Sequence, residues 1–451
     1  MRLGLFPQRF TQEAPMNIVT SFAVMLQEFA VVMTTPTLAN FSTLVSGWMF
    51  APRRNITSMI VAAGMAGVKH HSSFHRVFAA AQWSLDAFGL AVFRLIEPHL
   101  DQENPVLLSL DDTLARKFGL KVFGAGMHHD PLQSSRGHKV MRWGLNFVVL
   151  SVIVRFPLWP ERPFSLPVLV RLYLNQKQAA RWRRKHRTRP QLAVKLLEIL
   201  CRHRPNRRFH VVADSAYGGE SVLANLPKNC DLTSRLGQDA RLYDAPPDRT
   251  GKRGRPRVRG EKLPTPGEML DGRAQHKELD IYGRRQKFRI VDQQARRFQV
   301  PDRPLRTVAV EALAGGRGRE AFYSTDVNAT AIDVLTNYSW RWSVEVTIRD
   351  SKQQLGFEEP QGWTRKSVQR TCPMALLLYS LVVVWFVEEG HRHHRPLTRP
   401  WYPHQPHASF ADMLGTLRRE SAREFISTLG LTGPGKRKIT HTLEHLTQLA
   451  A

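Results

Sequence analysis

The first hundred residues have apolar side chains at the three- and four-residue spacing of amphipathic helices. Phe22, Met25 and Phe29 follow this spacing, and it returns toward the end of the segment. Because 3.6 residues complete one helical turn, such positions fall on one face of a helix. The pattern predicts a helical domain over residues 1–100.

Residues 55–83 within this segment have the pattern of a helix, a glycine-containing turn and a second helix. Ser72 or Ser73 is the predicted N-cap of the second helix, because a serine hydroxyl accepts a hydrogen bond from the first turn. Two interpretations stay open. A helix-turn-helix would direct His75 and Arg76 toward a DNA groove, and a plain helical hairpin would use the same pattern for packing.

From residue 104 the pattern changes to short apolar runs. Segments 145–156 and 164–174 are rich in Val and Leu, and two further runs end in acids, at Asp111 and at Asp214. Such runs favour buried strands, and the helical pattern QLAVKLLEILCRH lies between them. The alternation predicts an α/β layer with a site where the two strands end.

Residues 231–325 interrupt that alternation. A stretch rich in Gly, Pro and Arg precedes three segments in which apolar and polar residues alternate, namely KELDIYG, QKFRIVDQ and RTVAVEAL. A period of two predicts half-buried strands, and therefore a β-rich insertion. Helical spacing then returns over 331–355 and through the apolar run 374–387, which is predicted to be a core helix.

The charge of the chain limits the class of its partner. Its 451 residues contain 65 Lys and Arg against 38 Asp and Glu, a net charge of +27. This excess favours a polyanionic partner, nucleic acid before an anionic membrane surface. The three cysteines lack a CxxC spacing and the N-terminus lacks a signal-peptide pattern. These features predict a cytoplasmic protein without zinc fingers, nucleoid-associated when bound to DNA.

Three acids are candidates for phosphodiester chemistry: Asp111, Asp214 and Glu345. Cleavage needs an activated water and a stabilised leaving oxygen, which two divalent ions held by a few carboxylates provide. Magnesium prefers such hard oxygen ligands. Each acid also has a structural interpretation as a cap, an Asx turn or an ion pair with Arg341 or Arg349.

The stretch YSWRWSVEVTIRDSKQQLGF contains Tyr338, Arg341, Glu345 and Lys352 at spacings of three, four and seven. At about 100° per residue, all four fall on one face of a continuous helix. A solvated face with ion pairs would show similar charges. The stretch therefore gains its functional meaning only together with the two strand-end aspartates.

LSLDDT, VVADSAYGG and YSWRWSVEVTIRDSK resemble the DDE transposases of bacterial insertion sequences, in the branch with a YREK signature. The resemblance extends over about residues 104–390. It implies an α/β fold in which an RNase H-like catalytic core is interrupted by a β-rich insertion. The implied segments are a helical N-terminal DNA-binding domain (1–100), the first part of the core (101–225), the insertion (226–328), the second part of the core (329–390) and a basic C-terminal region (391–451).

The resemblance also implies roles for individual residues. The family's first acid is followed two positions later by Thr or Ser, which fits Asp111 and Thr113, although Asp112 remains a rival. Two ions, Mg²⁺ or Mn²⁺, are expected on the three acids. The implied catalytic metal ligands are Asp111, Asp214 and Glu345, and the implied contacts to transposon-end phosphates are Tyr338, Arg341 and Lys352.

Two basic segments are further candidates for DNA contacts. KRGRPRVRG at 252–260 is similar to the AT-hook core that enters the minor groove, and RWRRKHRTR at 181–189 suits phosphate contacts. Both also fit a solvated basic face. The candidate residues are Arg253, Arg255, Arg257, Arg183, Arg184 and Lys185.

Aromatic and histidine residues leave further options open. Relatives that cleave through a DNA hairpin often hold a flipped base on a Trp in the insertion, and residues 231–325 contain none. His128, His129 and His138 fit no zinc template and are predicted to lie at the surface or contact phosphate. In place of that Trp, the candidates in the insertion to stack on a flipped base are Tyr243, Tyr282, Phe288, Phe298 and Tyr323.

The leading hypothesis is a cut-and-paste DNA transposase that binds inverted-repeat ends, pairs them in a homodimer, and cleaves and joins strands. Its partners would be double-stranded transposon ends and target DNA, with no membrane involved. Two alternatives stay open. One is a catalytically silent, transposase-derived DNA-binding protein, and the other is an RNase H-like nuclease without strand transfer.

Overall fold

The structure is a computed structural model. It describes residues 17–130, 133–135, 137–247, 257–281, 284–313, 318–395 and 407–428, with short pieces at 433–435, 437–439 and 441–442. The chain forms two compact units. One contains Met1–Ser84 together with Asp350–Ala451, and the other contains Leu85–Arg349.

Helices dominate the first unit, and both helices and strands build the second. The helices are α1 (Thr20–Gln27), α2 (Thr35–Phe50), α3 (Ile56–Ala62), α4 (His71–Ala79), α5 (Leu85–Ile96), α6 (Gln176–Arg181), α7 (Arg189–His203), α8 (Glu220–Leu223), α9 (Pro266–Met269), α10 (Ala331–Trp340), α11 (Trp342–Gln354), α12 (Arg365–Glu388) and α13 (Phe410–Thr428). The strands are β1 (Val106–Arg116), β2 (Gly126–His129), β3 (Met141–Arg155), β4 (Pro163–Tyr173), β5 (Phe209–Ala213), β6 (Cys230–Arg235), β7 (Leu242–Tyr243), β8 (Gln275–Ile281), β9 (Arg284–Arg297), β10 (Val300–Ala312) and β11 (Glu320–Ser324).

The described strands form one mixed sheet of eleven, all within the second unit. Its order is β2-β3-β1-β5-β6-β11-β10-β9-β7, with β4 paired to β3 and β8 paired to β9. Strand β1 is antiparallel to β3 and parallel to β5, and β5 is parallel to β6. The predicted α/β class is confirmed to this extent. Because β1 and β5 are neighbours, residues at matching positions on them lie side by side.

Most of the predicted strands are present, but β1 differs at its end. The prediction that this strand ends at its acids is wrong, since it continues through Asp111 and Asp112 to Arg116. The reason is the length of β3, which keeps pairing beyond the acids as far as Arg116 with Gly144. The acids therefore lie within a strand, and their side chains point to opposite faces of the sheet.

The helical stretch 331–355 is interrupted. It divides into α10 and α11 at Arg341, whose backbone N–H bonds to the carbonyl of Tyr338 three residues back. The N–H of Val344 likewise bonds to the carbonyl of Arg341. The prediction of one continuous helix is wrong here, because these three-residue bonds tighten the turn and break the regular ladder.

In the first unit, α12 packs against α1, α4 and α13. The predicted core helix lies within α12, and 89% of its most apolar stretch is buried although its length and hydropathy would suit a membrane span. In the predicted helix-turn-helix region, α3 and α4 are joined by a turn in which Gly64 and Gly67 have positive φ. The N-cap of α4 is His70, whose ring accepts from the N–H of Ser72. The predicted serine cap is therefore wrong.

Candidate active site

The candidate site is built on two neighbouring parallel strands. Leu110 of β1 pairs with Ala213 of β5, so Asp111 and Asp214 follow at the same level of the sheet. Asp214 comes directly after β5, and its Oδ1 accepts the N–H of Ala216 at 2.9 Å. The Asx-turn interpretation of Asp214 is thus correct, and this turn fixes its carboxylate beside the neighbouring strand.

Arg341 joins the first and third candidate acids. Its two terminal nitrogens donate to Asp111 Oδ2 at 3.2 Å and to Glu345 Oε1 at 2.7 Å. Only 13% of the Arg341 side chain is exposed, whereas Glu345 keeps 36% of its side chain in solvent. The structure therefore brings Asp111 and Glu345 to one cation, each at a different terminal nitrogen of the guanidinium.

The site has more buried negative charge than its positive neighbours balance. Burial raises the pKa of Asp111 to about 7, with Arg341 opposing the rise and the carboxylates of Asp112 and Asp214 adding to it. Burial also raises the pKa of Asp214, against the N–H of Ala216 and the charge of Arg341. A further cation would stabilise the ionised form of both aspartates.

Asp112 faces the other side of the sheet and is engaged there. Its Oδ1 accepts the Tyr217 hydroxyl at 2.7 Å, and its Oδ2 accepts the Asn146 amide at 2.7 Å and the Arg189 guanidinium at 2.8 Å. Tyr217 is fully buried and Asn146 is nearly so. This arrangement gives Asp112 a structural role in joining β1, β3, α7 and the turn after β5.

His128 lies near this network and corrects a prediction. Its side chain is buried rather than at the surface, because alternate residues of β2 face inward. Burial lowers its pKa to about 4, the charge of Arg189 adds to that effect, and Asp112 opposes it. His129, its neighbour in the strand, is exposed.

The predicted DNA-contacting residues have different environments. Tyr338 packs in a core cluster with Phe322 and is only 5% exposed. Lys352 lies 3.6 Å from the carboxylate of Glu358. The exposed basic candidates are Arg183, Arg184, Lys185 and Arg257, while Arg253 and Arg255 lie outside the described residues.

The aromatic candidates in the insertion also differ in how deeply they are buried. Phe288 and Tyr323 are buried, and the side chain of Tyr282 lies outside the described part of the chain. Tyr243 and Phe298 are half-buried, and the guanidinium of Arg259 stacks 3.7 Å from the centre of the Phe298 ring. A base that stacked on Phe298 would have to share the ring with Arg259 and with Arg241, whose guanidinium lies 4.7 Å from its centre.

Sequence reasoning missed two features of the site. The bond between Arg341 and Asp111 joins residues 230 positions apart, and no local pattern signals it. The network around Asp112 was missed for the same reason. A weak signal existed for the bond between Arg341 and Glu345, since a spacing of four places the two side chains together on a helix.

A divalent ion fits the chemistry of these acids, although it needs side-chain movement. Within the described ranges, no group of three or more His, Cys, Asp or Glu side chains is placed to hold a metal ion. The Arg341 cation nevertheless binds the carboxylates of Asp111 and Glu345, its charge also acts on Asp214, and carboxylates are the ligands that Mg²⁺ and Mn²⁺ prefer. Glu345 is the more exposed of the two acids that Arg341 joins.

Asp111 and Asp214 thus lie within and directly after adjacent parallel strands of a mixed α/β sheet, in a chain of net charge +27. Two family models match consecutive parts of this chain. The model of the DDE superfamily endonucleases matches residues 29–298, and that of the archaeal transposase ISC1217 matches residues 299–389. The first match covers more than half of the chain, which therefore belongs to the DDE endonuclease superfamily. The second supports a transposase. The comparison with curated proteins gave no match.

Proposed function

We propose that this protein is a DNA transposase that cleaves and joins strands at the ends of a mobile element, using Asp111, Asp214 and Glu345. The observation that carries the proposal is that the sheet register and Arg341 link these acids. Asp111 and Asp214 lie level on adjacent parallel strands, and Arg341 joins Asp111 to Glu345. The superfamily match gives this geometry its chemical meaning.

Asp111 is the first metal ligand in this proposal, and Asp112 is not. The carboxylate of Asp112 already accepts three hydrogen bonds from protein donors. Asp111 faces Arg341 and Asp214 instead, and among the described residues its carboxylate accepts from the Arg341 guanidinium and from the N–H of Asp112. A metal ion would compete with fewer protein contacts at Asp111.

Asp111, Asp214 and Glu345 would together hold two Mg²⁺ or Mn²⁺ ions. Such ions, when bound, supply an activated water and neutralise charge on the leaving oxygen. The residues themselves set the geometry. The turn at Ala216 fixes Asp214, the ladder with β3 fixes Asp111, and α11 brings in Glu345.

The proposal assigns the rest of the chain as the sequence predicted. The strands that carry Asp111 and Asp214 would form an RNase H-like core, residues 226–328 with β6 to β11 its insertion, and α10 with α11 the YREK segment. The helical region 1–100 and the exposed basic residues would contact DNA phosphates, and two copies would pair the ends. The net charge of +27 and the exposed residues at 183–185 support these DNA contacts.

A cleavage and joining assay tests the proposal. The protein is incubated with Mg²⁺ or Mn²⁺ and DNA carrying the inverted repeats that flank its coding region, then with pre-cleaved ends and a target plasmid. We expect cleavage and joining in the parent, and neither in Glu345→Ala, which should still bind the ends because the basic surface is unchanged. Glu198→Ala, on the exposed side of α7, is the matched control.

The same assay separates the alternatives. Cleavage without joining of pre-cleaved ends would indicate a nuclease. Specific binding without metal-dependent cleavage would indicate a silent DNA-binding protein. Unchanged cleavage by Glu345→Ala would remove the proposed site.

A further inference from the structure

The side chain of Arg341 has an unusual environment for a DNA-contacting arginine. Its guanidinium is directed at two carboxylates of the candidate site, with bonds of 3.2 Å to Asp111 and 2.7 Å to Glu345. Its side chain is 13% exposed, and its guanidinium carbon also lies 5.6 Å from the ring centre of Tyr338. Little of the guanidinium is left for a phosphate.

One donor of this buried guanidinium is unused. The Nε–H of Arg341 is buried and finds no acceptor among the described residues. An unsatisfied donor on a buried, charged side chain costs free energy that a settled structural ion pair would avoid. Because the hydrogen bonds of Arg341 are incomplete in this position, the side chain loses less free energy when it moves than a fully bonded arginine would.

The charges point to the same conclusion. Asp111 and Asp214 lie next to each other, Glu345 approaches through Arg341, and Asp112 is on the neighbouring position of β1. Within this group Asp112 has Arg189 as its own counter-ion. Arg341 is thus a cation that binds Asp111 and Glu345 and whose charge also acts on Asp214.

The backbone at Arg341 allows a local change. It lies at the junction of α10 and α11, where three-residue hydrogen bonds replace the regular ladder. Such short segments within a helix often mark a hinge. A rotation of the side chain there would release a carboxylate without unfolding either helix.

We propose that Arg341 is a placeholder cation, which holds Asp111 and Glu345 together in the metal-free protein and releases at least one of them when a divalent ion binds. The proposal rests on the proposed function, because it takes the same acids as metal ligands. It makes Arg341 a positioning residue. A permanent salt bridge would instead persist in the metal-bound protein, and a phosphate contact would leave metal affinity independent of Arg341.

The test uses the full-length protein without DNA. Arg341→Gln removes the charge, Arg341→Lys keeps the charge but has a single donor head, and Arg202→Gln is a control on α7, where Arg202 pairs with Glu198. Two quantities are measured for each variant: the thermal unfolding midpoint in EDTA, and Mn²⁺ affinity by titration calorimetry. Neither measurement depends on catalysis.

We expect Arg341→Gln to unfold at a lower temperature in EDTA, because two carboxylates lose their counter-ion. It should bind Mn²⁺ about tenfold more tightly than the parent, since the ion no longer competes with the guanidinium. Its midpoint should therefore rise more steeply with Mn²⁺. The Mn²⁺ affinity and the unfolding midpoint of Arg341→Lys should fall between those of the parent and of Arg341→Gln. If Arg341→Gln does not fold, Arg341→Lys alone is compared with the parent. Arg202→Gln should match the parent.

Two other results have separate meanings. Mn²⁺ affinity in Arg341→Gln equal to or weaker than that of the parent would overturn the placeholder role while leaving the metal site intact. Absence of Mn²⁺ binding to the parent, together with cleavage by Glu345→Ala equal to that of the parent, would remove the proposed metal site and this inference with it.

Discussion

Replacing each of the two neighbouring aspartates of β1 by Ala should have opposite effects on the stability of the protein at pH 8, which gives a stringent test of their assigned roles. Asp112→Ala deletes a carboxylate that accepts from Tyr217, Asn146 and Arg189. Asp111→Ala deletes one whose protein cation, Arg341, keeps Glu345 as a partner. Both substitutions remove the same atoms from adjacent residues, so each controls for the other.

The magnitude for Asp112→Ala follows from the donors it leaves behind. Tyr217 is 0% exposed and Asn146 is 4% exposed, and an unpaired buried donor costs about 1–3 kcal/mol. Arg189 is 43% exposed, so its contribution is small, about 0–1 kcal/mol. We expect a loss of about 3 kcal/mol, or about 6 °C in the unfolding midpoint of a unit this size.

Asp111→Ala should instead be as stable as the parent or more stable above neutral pH. The folded pKa of Asp111 is raised from 3.8 to about 7, so its ionised form costs stability above pH 7 and nothing below pH 3.8. At pH 8 that cost is up to about 4 kcal/mol. Removing the carboxylate relieves it, partly offset by the lost bond to Arg341.

The assay is thermal unfolding in EDTA at pH 5 and pH 8, followed by circular dichroism. We expect Asp112→Ala to melt well below the parent at both pH values. Asp111→Ala should melt at or above the parent at pH 8, with a smaller advantage at pH 5. The reverse order of the two variants at pH 8 would refute the assignment of Asp112 to the framework and Asp111 to the site.

Three further predictions concern packing, pH and salt. Gly89→Ala should destabilise the second unit by about 2 kcal/mol in urea unfolding, because a Cβ there would lie 1.8 Å from the carbonyl oxygen of Val168; an unchanged midpoint would contradict the close packing of α5 on β4. The folded pKa of His128 is lowered from 6.5 to about 4, so stability should fall by up to about 3 kcal/mol as pH drops through that interval. His128→Gln should flatten this part of the profile of stability against pH. An identical profile would show that the pKa of His128 is the same in the folded and the unfolded protein. Replacing Arg183 and Arg184 by Gln should weaken binding to all DNA sequences alike and reduce the slope of log affinity against log salt by about 2, whereas an unchanged slope would remove residues 183–185 from the DNA interface.

The sequence predicted the elements of the second unit well because their patterns are local. Runs such as 145–156 and 164–174 need only their own residues to indicate strands, and β3 and β4 lie there. The bounds were less accurate where pairing decides them. Strand β1 continues past its acids because β3 offers partners as far as Gly144, and that information lies in another segment.

The local contacts of the candidate site were predictable, namely the Asx turn of Asp214 and the ion pair of Glu345 with Arg341, and the long-range contacts were not. Asp111 and Asp214 were found because each follows an apolar run, and Glu345 because of its spacing from Arg341. The direction of the Arg341 side chain depends on where β1 lies in the folded sheet, which helical spacing does not contain. The burial of Tyr338 was missed similarly, since its core partners include Phe322 of β11.

The measurement that tests the central claim most directly exchanges the carboxylate of the proposed metal ligand Asp111 for a thiolate. Asp111→Cys and, as its matched control, Asp112→Cys are assayed for cleavage of end-containing DNA in Mg²⁺ and in Mn²⁺. A thiolate is a poor ligand for Mg²⁺ and a better one for the softer Mn²⁺. We predict that Asp111→Cys is inactive in Mg²⁺ and regains cleavage in Mn²⁺, and that Asp112→Cys gives the same relative activity in both metals. Equal activity of Asp111→Cys in the two metals, or rescue by Mn²⁺ of Asp112→Cys alone, would contradict the assignment of Asp111 as a catalytic metal ligand.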